Sequence, residues 1–285
     1  MPGRKPLSRL QFGKETVNGT QVAATARMRF NGGFLSDDRT PELIEEAIGI
    51  IGGADRNVVT GVDASLEIPE TPATPEQLPY LLAMLYGGPV AGVADGTGST
   101  GFRYLTTIPT TAAPTNTSYT IEGGDDYEVE RLGYAKCTKL TIKGAANGKI
   151  TVSGSAIGQY VARLAGGFAS TTIASVNDLV FGLSRLSLDA IGDTIGTTAI
   201  SNQFLGFEVA FEGMWEKQFT GEANTTNGPI WTFVVFADKK VSGKLTLLHD
   251  PAVNSDTGLM SLFLSLIHIS EPTRRTPISY AVFCL

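Results

Sequence analysis

Histidine and cysteine are almost absent from this 285-residue chain, which holds two of each. Zinc sites, thiol catalysis and imidazole proton relays all need such side chains in clusters, so those chemistries are poorly supplied. His268 and Cys284 fall in a C-terminal segment set aside below, leaving His249 and Cys137. A lone cysteine cannot close an intramolecular disulfide, and Cys137 reads as a small residue in a strand rather than a reactive thiol. Basic residues are in deficit too, with 22 Lys and Arg against 28 Asp and Glu and a formal charge of −6. Phosphate contacts need clustered cations, so a dedicated DNA-binding surface is not expected. Long apolar runs are missing. The stretch from Leu259, LMSLFLSLIHI, falls far short of the roughly 20 residues that span a bilayer, and no membrane segment is expected. The opening MPGRKPLSRLQFGKE has charge but no apolar centre, so no secretory leader is expected. Without that route the acceptor triplets at Asn18, Asn116 and Asn224 imply no glycosylation.

Residues 264–285 do not read as part of a fold. LSLIHISEPTR from Leu264 and ISYAVFCL from Ile278 resemble translations of the two constant parts of a sequencing-library adapter. Arg275, Thr276 and Pro277 stand where its variable index would be. We set the segment aside as one sets aside a fusion scar, and expect the native C-terminus to be missing. The charge then moves from −6 to −7, because the segment carries two arginines and one glutamate.

What is present is β-forming sequence. VVTGVDASLEI from Val58 alternates, with Val58, Thr60, Val62, Ala64, Leu66 and Ile68 on one face, as a half-buried strand requires. A Pro-rich turn follows, then a helix over residues 75–86: Thr74 as N-cap, Pro75 at the first position, Gln77 as the capping-box partner and Gly87 as the stop. Leu78, Leu81, Leu82 and Leu85 form its apolar stripe, and so short a helix must lie on a sheet. FRYLTTI from Phe102, SYTI from Ser118 and YAKCTKLTIKG from Tyr134 are strand segments between Gly, Pro and Asn clusters. Asn147-Gly148 joins the last of these to KITVSGSAIG as a hairpin. Further strands are expected at Leu186/Leu188, Phe207/Val209/Phe211, IWTFVVF from Ile230 and Val241/Leu245/Leu247. Pro41–Ile51 has helical periodicity, with Leu43, Ile44, Ala47, Ile48 and Ile51 on one side.

Motifs for chemistry are weak. Gly96, Gly98 and Gly101 satisfy a dinucleotide pattern, but they follow a helix and precede a strand, the reverse of the required order. His249-Asp250 lacks a second histidine and a nucleophile elbow, and reads as a strand end. The acidic pairs Glu45/Glu46 and Asp125/Asp126 lack the alternating oxygen donors of a calcium loop and read as solvated loops. Arg4, Lys5, Arg9 and Lys14 form a basic N-terminal arm over residues 1–15, either frayed or laid on an acidic neighbour. No catalytic residue, metal or cofactor is expected.

Taken in order, several blocks resemble the tail tube proteins of long-tailed bacteriophages. They are ETVNGTQVAAT from Glu15, EEAIGIIGGADR from Glu45, ASLEIPETPATPEQLPYLLAMLYGG from Ala64, PTTAAPTNTSYTIEGGD from Pro109 and ANGKITVSGSAIGQYV. LSRLSLDAIGDTIGTTAISNQFLGFEVAF from Leu183 and VSGKLTLLHDPAV from Val241 continue the likeness, which covers Glu15 to Val253. The resemblance implies a mainly β protein, a β-sandwich or squashed barrel with one flanking helix, whose copies form stacked rings around a conduit for DNA. It also implies an extended inter-subunit loop where periodicity alone gives the helix over Pro41–Ile51. Expected partners are further copies of the chain, the tape measure protein, and the tail terminator and baseplate proteins. DNA is expected to pass without sequence-specific binding. The implied location is the virion tail, assembled in the host bacterial cytoplasm. The basic arm and the acidic pairs are the expected interface residues.

The order strand, Pro turn, helix recurs loosely after VSGKLTLLHD, so two fused tube domains are possible, over 16–165 and 175–263. Three chains would then close a ring that otherwise takes six. The rival reading is a decoration or adhesin-like β-sandwich that binds a capsid or host surface.

Overall fold

The computed structural model describes residues 7–30, 34–46, 49, 54–88, 91–94, 102–104, 114–187, 189, 196–197, 199–200, 203–213, 215–221 and 228–248. Strand β1 is Arg9–Lys14, β2 Ala26–Met28, β3 Phe34–Glu45 and β4 Ala54–Pro72. Helix α1 is Leu78–Tyr86. Short strands β5, Val93–Ala94, and β6, Phe102–Arg103, come next, then β7, Tyr119–Gly124, β8, Val129–Ala145, β9, Thr151–Gly158, and β10, Tyr160–Arg163. The second half supplies β11, Leu186–Ser187, β12, Ala199–Ile200, β13, Phe204–Glu212, β14, Trp215–Gln218, β15, Phe233–Phe236, and β16, Lys240–Leu247.

The protein is mainly β, a β-sandwich with one flanking helix, and β8 organises it. Its first part pairs with β7 on one side and β10 on the other. Its second part pairs with β9 and β13 instead. One layer therefore runs β2-β1-β7-β8-β10 and the other β3-β4-β9-β8-β13-β16, every ladder antiparallel. Register shifts between Cys137 and Lys139, and between Tyr119 and Ile121, mark irregularities where β8 turns from one layer to the other.

Between the layers lies one apolar core. Leu10, Phe12, Ile121 and Leu132 come from the first layer, and Leu66, Ile68, Leu140, Ile142 and Val152 from the second. At Gly123 the layers approach so closely that a Cβ would sit 3.2 Å from the Leu35 side chain. Helix α1 closes the core: Leu81, Met84 and Leu85 are fully buried and Tyr86 meets Phe211 edge to face. At roughly 2 kcal/mol for each large apolar side chain buried, this face holds the helix where propensity alone would not.

Local outcomes follow the sequence closely, with five corrections. The helix begins at Leu78, because Pro75–Gln77 form a turn whose amides at Gln77 and Leu78 bond the Thr74 carbonyl. Thr74 and Gln77 point their side chains into the core, so the capping box does not form. The C-terminal stop at Gly87 stands, with φ +74° and its N–H on Ala83. In β4 the expected face is buried from Val62 to Ile68, but Val58 and Thr60 are exposed, because only Ala64–Pro72 pairs with β9. Pro41–Glu45 is strand, not helix: it continues β3 along β4, where ladder partners override periodicity. Finally, Arg9–Lys14 is no arm. Leu10 and Phe12 are buried core residues, and β1 lies between β2 and β7.

The Asn147-Gly148 hairpin is as expected. Asn147 takes φ +62°, and the Gly148 amide bonds Ala145 O at 3.0 Å. The second half builds onto the first, since β13 adds to β8 along seven register pairs from Gly206↔Ala145 to Glu212↔Lys139.

Candidate assembly surface

Each layer ends in edge strands, and an edge presents a row of unpaired backbone groups. The β2 edge is guarded. The segment after β10 crosses it, with a bridge from Arg27 to Ile173 and Arg29 Nε donating to Ala174 O at 3.0 Å. Buried Glu122 anchors that segment, taking bonds from the Ala169 amide, Arg131, Ala24 N and Gln11. Burial alone would raise the Glu122 pKa, but these donors outweigh it and hold the carboxyl below its ordinary range.

The second layer leaves both of its edges open among the described strands. At one end β3 pairs only with β4, and at the other β16 pairs only with β13. Their chemistry is opposite. β3 reads FLSDDRTPELIE, with Asp37, Asp38, Glu42 and Glu45 against the single Arg39. β16 reads KVSGKLTL, with Lys240 and Lys244 and no acid. Apolar side chains sit exposed on β16, with Val241 at 49% and Leu245 at 40%.

The β3–β4 hairpin is the second exposed feature. Past Val62, whose amide bonds Pro229 O, the strands Thr40–Glu45 and Ala54–Gly61 pair, among the described residues, only with each other. This ribbon runs for about 25 Å at the ordinary strand rise. It exposes Leu43 at 68% and Val58 at 45%. A two-stranded ribbon is marginal without something to pack on.

The expected interface residues scatter over this frame. Arg4 and Lys5 lie outside the described residues. Arg9 and Lys14 stand exposed at the two ends of β1, with the Arg9 guanidinium 5.4 Å from the Phe168 ring centre. Glu45 and Glu46 sit at the ribbon's end, where Glu46 pairs with Arg56. Asp125 caps the β7–β8 turn, accepting from the amides of Tyr127 and Glu128, and Asp126 is beside it. Ten residues of β3 separate the level of Leu35 from Glu45, so the two acidic pairs do not converge.

The other motifs stay bland where they can be seen. Among the described residues no group of His, Cys, Asp and Glu could hold a metal ion. Cys137 is fully buried, and burial pushes its thiol up to about 12. Asn18 Nδ2 donates to the Asn116 backbone carbonyl at 2.9 Å in an exposed contact. The 96–101 glycines, His249, Asp250, Asn224 and residues 264–285 lie outside the described residues. No described helix is long and apolar enough to cross a membrane.

The comparison with protein families stands beside this surface of edges and ribbon. The family model of the phage tail tube protein matches residues 6–265. The chain belongs to the phage tail tube protein family. It is thus a structural protein of the phage tail, from a family that associates with itself and with other tail components. No curated protein matches the chain. In this tail tube protein, sequence reasoning missed the acidic edge of β3 and the basic edge of β16. The signal was available in SDDRTPELIE and KKVSGK, but the helical periodicity over Pro41–Ile51 masked the first.

Proposed function

We propose that the tail tube protein assembles by joining the β16 edge of one copy to the β3 edge of the next. The observation that carries this reading is the pair of open edges, opposite in charge, on one six-stranded layer. A contact between unlike patches either closes into a ring or runs on as a filament. Edge pairing supplies main-chain hydrogen bonds, and the lysines of one edge facing the acids of the other set the direction and reject like-with-like contacts. The β3–β4 ribbon then packs its exposed Leu43 and Val58 on a neighbouring ring, stacking rings into a tube. The tube is a conduit for DNA. A net acidic protein gives phosphate no binding well along the way.

By this reading the tape measure, tail terminator and baseplate proteins are partners, assembly occurs in the host cytoplasm, and no reaction is catalysed. Fusion of two tube-type regions, 16–165 and 175–263, gives a ring of three chains, and a single unit gives six. The mass of an isolated ring separates the two.

The test is the Lys240→Glu, Lys244→Glu double variant, compared with its parent by sedimentation at low and moderate salt. The parent should form large species that salt loosens. Charge reversal should weaken association at least about tenfold, since like charges then face each other. Equal assembly of parent and variant would overturn the proposed pairing. A parent that stays dispersed would favour the decoration reading.

A further inference from the structure

The second layer carries a cleft of about 360 Å³ at the end opposite the ribbon. Glu70 of β4, Lys143 of β8, Leu205 and Gly206 of β13 and Thr246 of β16 line it. β4 carries both features. Its Ala54–Gly61 part is one side of the ribbon, and Glu70 lies roughly 30 Å beyond Gly61 at the ordinary strand rise. Gly144, Gly148 and Gly206 line the cleft without side chains, which leaves its floor bare, and a Cβ on Gly206 would come within 3.0 Å of the Gly144 carbonyl oxygen. Apolar side chains stand exposed around the opening. Leu205 is one, Leu248 is tied beside it by its amide on Gln203 O, and Val180 and Leu183 follow the bridge from Lys149 to Val180. Exposed apolar groups gathered at one opening mark a contact surface.

We infer that this cleft is the socket for the β3–β4 ribbon of a copy in the adjoining ring, with Leu43 entering it. The socket presupposes the edge-paired ring proposed above and gives the ribbon its landing surface.

Strand sense makes the geometry consistent. Five antiparallel ladders lead from β3 to β16, so the two edge strands run in opposite senses. Copies related by rotation about a ring axis therefore continue one antiparallel ladder, every ribbon leaves by the same rim, and every cleft opens on the other. Stacked rings meet ribbon to cleft, with one of each per copy, and such unlike contacts run on without closing. The chemistry fits as well. Leu43 is exposed and shares a ribbon face with Pro41 and Val59, with Glu42 and Glu45 close by in the strand. Around the cleft Lys143 pairs with Glu70, Lys149 pairs with Asp178, and Lys244 stands opposite Glu208. That mouth is near charge balance, so it admits the acidic ribbon where an acidic mouth would repel it. Seating Leu43 against Leu205 removes apolar surface of both from water.

Electron microscopy of the purified full chain, comparing the parent with Leu43→Glu and Leu205→Glu, tests this. Leu205 is exposed and outside the core cluster, so its substitution should leave the thermal melt unchanged. Both variants should still form rings but shorten the tubes by about tenfold or more, because each puts an unpaired carboxylate into an apolar contact. A Leu43→Cys, Leu205→Cys, Cys284→Ser protein treated as assembled tubes with a short bismaleimide should give a ladder of linked chains, with buried Cys137 taking no part. Full-length tubes in Leu205→Glu, or tubes that give no cross-link, would overturn the socket and leave edge pairing standing. Loss of rings together with tubes in folded Leu205→Glu would put the cleft inside the ring contact and overturn it too. A parent that forms no rings would overturn edge pairing, and the socket with it.

Discussion

Two buried charged side chains do most to set the local pH behaviour, and they act in opposite directions. Glu122 has its folded pKa depressed by four donors, so the stability it contributes is present above the ordinary carboxylate range and lost as acid protonates it. Glu122→Gln should cost about 3 kcal/mol, because Arg131 and two amides lose a charged acceptor, and should flatten the acid limb of a urea-melt series. Lys136 has its folded pKa lowered to about 7. The unfolded chain therefore binds the extra proton between pH about 7 and roughly 10.4. Stability should rise with pH across that window, and Lys136→Met should abolish the rise. Circular-dichroism melts at stepped pH would measure both.

At the scale of elements, much of the fold is legible because periodicity and turn chemistry agree. Asn147-Gly148 between two β-branched runs could hardly be anything but a hairpin, and Asn147→Val should cost about 1–2 kcal/mol by forcing a branched side chain to φ +62°. Thermal melts would show it. β1 was hidden for a physical reason: its lysine and arginine mark its ends, while the buried middle, Leu10 to Phe12, is too short to show a period. Deleting Met1–Lys14 should therefore unfold the protein rather than trim an arm, visible as loss of the cooperative melt. The β3 misreading has another cause. Leu43, Ile44 and Ala47 recur at helical spacing, but β4 offers a ladder partner for each residue of β3 up to Glu45, and a formed ladder outweighs a weak local preference. The site was less legible than the fold. An edge is defined by what does not pair with it, and pairing is a property of the whole topology that no local window contains.

For the whole molecule, the arrangement of guarded and open edges is the main physical fact. The segment from residue 164 to 180 crosses β2, so strand addition is discouraged at that edge of the first layer, while among the described strands both edges of the second layer are left open. Acidic β3 at one end and basic β16 at the other make the chain directional, which a self-complementary dimer would not need. Membership of the tail tube family gives this directionality a use in the edge pairing proposed above. Negative-stain electron microscopy of the purified chain at high concentration tests this most directly. The account predicts rings and stacked tubes of uniform width that shorten as salt rises, and contradiction would be a field of separate single particles at every concentration and salt.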